Sequence, residues 1–215
     1  MNFFNKFSLA LIGTVAIIAI AQPTAVVAIS AQILSASVVA GTKAEDFFKQ
    51  GEEKYEKGDY QGAVAAYTQV IAIDPNYAEA YKSRGNLRSE LGDKQGALAD
   101  FNETLGINPN YVAAYVNRGV TYYDLGDYQR AIADYSEALR LNPSDALAYH
   151  HRGVARIRLG EFQGAIADYN EALRLNPSDA LIYYNRAVAR RDSGDKPGAM
   201  QDFLSESSRF ISETR

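Results

Sequence analysis

Four arginines, Arg84, Arg118, Arg152 and Arg186, stand 34 residues apart, and each is followed 16 residues later by an aspartate: Asp100, Asp134, Asp168 and Asp202. Two chemistries fit such a spacing. One is a set of charge-assisted ion pairs joining one helix to the next. The other is a row of cations open to an anionic ligand, which the matching aspartates would neutralise. The preceding 34-residue period carries Gln50 and Ala66 at the same two positions, so both charges are gained or lost together. That coincidence favours four ion pairs. Such pairs add little net stability, because desolvation offsets attraction, yet stranding one partner of a buried pair is expensive.

Little else has a catalytic or metal-binding spacing. His150 and His151 are the only histidines and are adjacent, hence about 100° apart on a helix and a poor chelating pair, so no metal is expected. The chain has no cysteine, which excludes disulfides, thiolate metal sites and cysteine nucleophiles. No H-E-x-x-H, G-x-S-x-G, G-x-x-x-x-G-K-[ST] or G-x-G-x-x-G pattern occurs, so neither catalysis nor a cofactor is expected. With 26 acidic and 22 basic residues and no dense basic run, the electrostatic footprint for nucleic acid is missing.

The elements that must position these residues follow from a repeat. Pro75, Pro109, Pro143 and Pro177 share the 34-residue spacing, within IAIDPNY, LGINPNY, LRLNPSD and LRLNPSD. With Pro75 as repeat position 32, the periods run 44–77, 78–111, 112–145, 146–179 and 180–213. Position 4 is Phe47, Tyr81, Tyr115, Tyr149 and Tyr183; position 8 is Gly51, Gly85, Gly119, Gly153 and Ala187. Position 20 is alanine and position 24 aromatic in all five periods, from Ala63 and Tyr67 to Ala199 and Phe203. Being four apart, these two columns share one face of a helix. Gly58, Gly92, Gly126, Gly160 and Gly194 each precede Asp or Glu, which predicts a left-handed helix end followed by an acidic first turn.

This set of columns resembles the tetratricopeptide repeat over about 170 residues, matching its 34-residue helix-turn-helix period. The resemblance implies an all-α fold, a right-handed α-solenoid of five helical hairpins that is non-catalytic and binds a protein or peptide on the concave side of its first helices. Stacking gives each hairpin the core it cannot build alone. Departures are the absence of Trp at position 4, Lys54 where a large residue is usual at position 11, and Ile211 where the last proline would stand. In the family, positions 2, 5, 6, 9, 12 and 13 line the groove. Here these are charged or polar early in the chain (Glu45, Lys49, Glu52, Glu79, Lys82, Asn86). They turn largely apolar later, with Val116, Val120, Tyr123, Leu147, Val154, Ile157, Leu181, Tyr184 and Val188. Lys82, Asn86, Asn117 and His151 resemble part of a carboxylate clamp, with Leu147 and His151 where clamp members have a basic pair. The peptide-binding residues implied are therefore Lys82, Asn86, Asn117, His151, Tyr123 and Tyr184. Part of the later set also suits ordinary packing between first helices.

The N-terminal region reads as a targeting segment. Lys6 precedes an apolar run from Leu9 to Ala21, and small-residue exits follow at Ala21 and at Ala28. Residues 1–28 are thus expected to be a signal peptide, cleaved after Ala21 or Ala28, with 29–43 an apolar, Ser-rich linker. The alternative is an uncleaved membrane anchor, since 25–40 is again apolar, although each run is shorter than the about 20 residues that span a bilayer. Export to the periplasm or another extracytoplasmic lumen follows from the first reading; a membrane contact follows only from the second. Two roles fit: a scaffold holding a partner protein or peptide, such as an extracytoplasmic assembly factor, or a self-assembling homo-oligomer. In the second, the last repeat lacks the family's final solvating helix and exposes Phe203, Leu204, Phe210 and Ile211.

Overall fold

The computed structural model describes the backbone of residues 23–213 and the side chains of Val39 and of residues 41–205. The charged start, the Leu9–Ala21 run and the exit at Ala21 lie outside the described residues, as do the side chains of Phe210 and Ile211. Among the described residues every regular element is an α-helix, and no helix is long and apolar enough to cross a membrane.

The chain divides at Pro75 into two compact units. The first holds α1 (Pro23–Glu56) and α2 (Tyr60–Ile73). Pro23 suits the first helical position, where its missing N–H costs nothing. Residues 29–43, expected to be a linker, belong instead to the continuous helix α1. The physical reason is that Ala, Ile, Leu and Gln support a helix, and the single Gly41 costs only about 1 kcal/mol. Within this unit Gly51 admits the Tyr67 ring, and a Cβ at Gly51 would lie 2.5 Å from it.

The second unit, residues 76–215, comprises α3 (Ala78–Glu90), α4 (Lys94–Ile107), α5 (Val112–Asp124), α6 (Tyr128–Leu141), α7 (Ala146–Arg158), α8 (Phe162–Leu175), α9 (Ala180–Asp192) and α10 (Lys196–Glu213). Each helix packs on the next, and the first helices α3, α5, α7 and α9 also touch in sequence. The turn inside every hairpin passes through a glycine at positive φ, from 73° at Gly160 to 95° at Gly194, where a Cβ would strain the backbone. The acid that follows is an N-cap rather than a first-turn residue. Asp93 and Asp127 accept from the backbone N–H of Gly96 and Arg130, at 2.9 and 3.1 Å. This satisfies a donor the helix leaves open.

The core is a column of alanines and rings. Ala97, Ala131 and Ala165 are fully buried beside Phe101, Tyr135 and Tyr169, and each ring lies over the glycine of its own first helix. At the end of the chain α10 continues to Glu213 because Ile211 replaces the proline that follows each of the other second helices.

Candidate peptide-binding groove

The arginines and aspartates meet as bidentate pairs. Arg118 donates from Nε and Nη2 to Asp134 at 2.8 and 2.7 Å, and Arg84, Arg152 and Arg186 engage Asp100, Asp168 and Asp202 in the same fork. All four carboxylates are buried. Each guanidinium also lies 5.3–5.6 Å from the centre of the tyrosine ring three residues before it.

Two further columns join the ladder that sequence reasoning missed. At position 11, Arg88, Arg156 and Arg190 donate a second guanidinium to Asp100, Asp168 and Asp202, at 2.9, 2.6 and 2.9 Å. At position 25, Asn102, Ser136 and Asn170 accept from the arginine of the following repeat, at 2.7, 3.0 and 2.7 Å. The signal for the first was present: an arginine four residues after position 7 faces the same side of its helix. The ladder's cations are thus committed to carboxylates and to neighbouring repeats. Burial pushes the Asp134 carboxyl up, against the pull of the Arg118 hydrogen bonds.

The first helices carry a row of three adjoining cavities. The first, about 230 Å³, lies between α3 and α5 and is lined by Asn86, Ser89, Glu90, Phe101, Asn117, Val120 and Thr121. The second, about 220 Å³, is lined by Val120, Tyr123, Asp124, Tyr135, His151 and Val154. The third, about 160 Å³, is lined by Tyr123, Val154, Ile157, Arg158, Tyr169, Asn185 and Val188. Val120 joins the first to the second, and Tyr123 and Val154 join the second to the third. The buried ring at position 24 borders each cavity, and the walls change from amides and hydroxyls to valine and isoleucine along the row.

The structure brings four of the six residues expected at the groove into these cavities. Asn117 Nδ2 donates to Asn86 Oδ1 at 2.8 Å, so the two amides act as one group. Tyr123 borders two cavities, and its hydroxyl accepts from Arg158 Nε at 2.9 Å. His151 stacks on Tyr135, with centroids 5.6 Å apart. Lys82 and Tyr184 line none of the three. Lys82 is ion-paired to Glu79 one turn earlier, and Tyr184, 47% exposed, meets the Phe203 ring edge-on. His150 faces Asn185, its Nε2 lying 2.8 Å from the amide nitrogen, an arrangement that suits a neutral ring accepting the bond. Burial lowers the proton affinity of both histidines; for His151 its neighbour His150 adds to the effect, and Asp179 and Asp145 act in the opposite sense on His150 and His151. Among the described residues no group of three His, Asp or Glu is placed to hold a metal ion.

Residues 83–146, 116–180 and 150–208 match the family described as tetratricopeptide repeat, and residues 51–92 match the one described as TPR repeat. No curated protein gives a match. Among solved structures, the crystal structure of MamA is 25% identical with a TM-score of 0.74, covering 76% of this chain and 96% of that one. MamA from Desulfovibrio magneticus RS-1, residue 41 to its end, is 20% identical with a TM-score of 0.77, covering 80% and 98%. YrrB, described as a TPR protein with an unusual peptide-binding site, is 18% identical with a TM-score of 0.68, covering 76% and 84%. The likeness extends over nearly the whole of the MamA chains and is one of fold. With family matches running from residue 51 to residue 208, the chain belongs to the tetratricopeptide repeat family.

Proposed function

We propose that this protein is a non-catalytic interaction scaffold that holds an extended segment of a partner protein along α3, α5, α7 and α9. The observation that carries this reading is the row of three adjoining cavities, polar at Asn86 and Asn117 and apolar at Val154, Ile157 and Val188. Small apolar-walled concavities with a few fixed polar groups suit side chains and main-chain amides of a peptide. The fold it shares with YrrB, whose description names a peptide-binding site, supports the same use. Lys82, Asn86, Asn117, His151, Tyr123 and Tyr184 are the residues assigned to ligand contact, the first four as a partial carboxylate clamp.

A peptide library panned against the full chain tests this. Peptides enriched by the native protein should lose at least tenfold in affinity to Val154→Glu and less to Asn117→Ala. Unchanged binding to both variants would remove the groove as the site. Amidating the C-terminus of an enriched peptide separates clamp from groove: equal affinity for both forms rules out carboxylate recognition.

The proposed setting is an extracytoplasmic compartment, on the strength of the charged start, apolar core and small-residue exits of the first 28 residues. Mass spectrometry of the mature protein should find a chain beginning after Ala21 or Ala28. An intact mass that includes residue 1 would point to the anchored form instead.

A further inference from the structure

Within residues 76–215, every second helix but the last is covered on the same face by the following repeat. At position 21, Leu98, Ile132 and Ile166 are half-buried; at position 25, Asn102, Ser136 and Asn170 receive the next repeat's arginine. On α10 the same two columns hold Met200, 62% exposed, and Leu204, 66% exposed. The last repeat therefore has the stacking face of an interior repeat with its polar acceptor replaced by leucine.

We propose that this face pairs with the same face of a second copy about a twofold axis, a surface separate from the groove. The column is the one on which hairpins of this chain already stack, so its shape complements a helix pair of the same kind. Head-to-tail addition of a repeat like the second to fifth would set the Nη1 of a position-7 arginine against Leu204. That donor would lack the position-25 acceptor it has at the interior interfaces, although Nε and Nη2 keep their own aspartate. The first period, with Gln50 at that position, would set an amide there. A twofold arrangement instead places Met200 and Leu204 against their own counterparts, apolar on apolar, and closes the assembly at two copies.

The chain has no cysteine, so a single introduced thiol reports on symmetry directly. Near a twofold axis a residue meets itself; in head-to-tail contact it does not. Under mild oxidation, Leu204→Cys or Met200→Cys should form a disulfide-linked dimer, whereas Glu103→Cys, on the exposed side of α4, should form no cross-link. Light scattering of the native protein should show a dimer that Leu204→Lys converts to monomer with an unchanged helical circular dichroism spectrum. A native monomer at every concentration, open-ended growth, or a dimer that survives Leu204→Lys would each overturn the proposal. So would the failure of both thiol variants to cross-link. Peptide affinity of the Leu204→Lys monomer should equal that of the native chain, which keeps this test separate from that of the groove.

Discussion

The hairpins α5–α6 and α7–α8 are successive copies of one design, yet they hold their buried aspartates differently. Asp134 receives the fork of Arg118 alone, because Tyr122 occupies position 11; Asp168 receives Arg152 and, in addition, Arg156. Position 7 therefore establishes the link between helices, and position 11 decides how completely the carboxylate is compensated. With a single arginine, desolvation outweighs attraction at Asp134 and raises its proton affinity. The largest predicted effect follows from this contrast. Asp168→Ala strands two guanidinium groups and should cost about 3–5 kcal/mol, towards the upper end of what breaking a buried pair costs. Asp134→Ala strands one and should cost less. Urea midpoints of the two variants measure the difference; equal midpoints would mean that Arg156 contributes nothing to the pair.

Glycine at position 8 offers a second contrast, this time with the last hairpin. A Cβ at Gly119 would lie 2.7 Å from the Tyr135 ring, and one at Gly153 2.6 Å from Tyr169. In the last hairpin Ala187 already stands there, fully buried, and Phe203 is a half-exposed ring. Gly119→Ala should destabilise by about 1–3 kcal/mol through overpacking, less the roughly 1 kcal/mol that alanine gains in helix propensity. Ala187→Gly loses the propensity and the burial of one methyl but relieves no clash, so its cost should be about 1–2 kcal/mol. Thermal unfolding of both variants separates the steric cost from the conformational one.

The same two interior hairpins differ in their response to acid. Positions 5 and 6 are Val116 and Asn117 in one and His150 and His151 in the other. Both imidazoles have proton affinities lowered from the ordinary 6.5 by burial among Tyr135, Tyr169 and Asn185, with Asp179 and Asp145 opposing the shift. Between the folded value and 6.5 the unfolded chain holds more protons than the folded one, so stability falls as pH drops through 6.5 and levels off below the folded value. The urea midpoint, measured from pH 8 to pH 5, should decline in this window. His150→Val with His151→Asn copies the preceding hairpin and should flatten that part of the curve. An unchanged slope in the double variant would assign the acid sensitivity to groups other than these histidines. Asp134 acts in the opposite sense, since a carboxyl whose proton affinity rises on folding adds stability as the pH drops.

The hairpins and their Arg–Asp forks were legible because each rests on columns repeated four or five times, so that one helical period explains glycine, ring and ion pair together. What was harder to read came from residues that vary between copies. Arg88, Arg156 and Arg190 share a column with Lys54 and Tyr122, and that mixture obscured a second guanidinium on three carboxylates. Lys82 takes its place in the groove from its resemblance to a clamp residue, and the ion pair it makes with Glu79 one turn earlier is a local contact that the column does not encode. The apolar, Ser-rich composition of residues 29–43 suggests a linker, although helix formation depends on propensity and on the absence of breakers, both favourable there.

The smallest effect tests the caps. Asp59, Asp93, Asp127 and Asp195 each accept a backbone N–H three residues on, whereas Glu161 in the same column makes no capping bond. The Glu161 carboxylate lies 3.7 Å from Arg156 Nε, which is buried without a hydrogen bond. The capping Asp93 and Asp195 match that separation, each 3.8 Å from the arginine at position 11, so what Glu161 lacks is only the bond to the helix end. Glu161→Asp should restore the bond to the N–H of Gly164 and stabilise α8 by about 0.5–1 kcal/mol, the usual worth of an N-cap. In the neighbouring hairpin Asp127→Glu should cost a similar amount. Amide exchange at Gly164 gives the direct reading: slower exchange in Glu161→Asp shows the cap formed. If exchange there is unchanged, the acid at this position serves the position-11 arginine rather than the helix end.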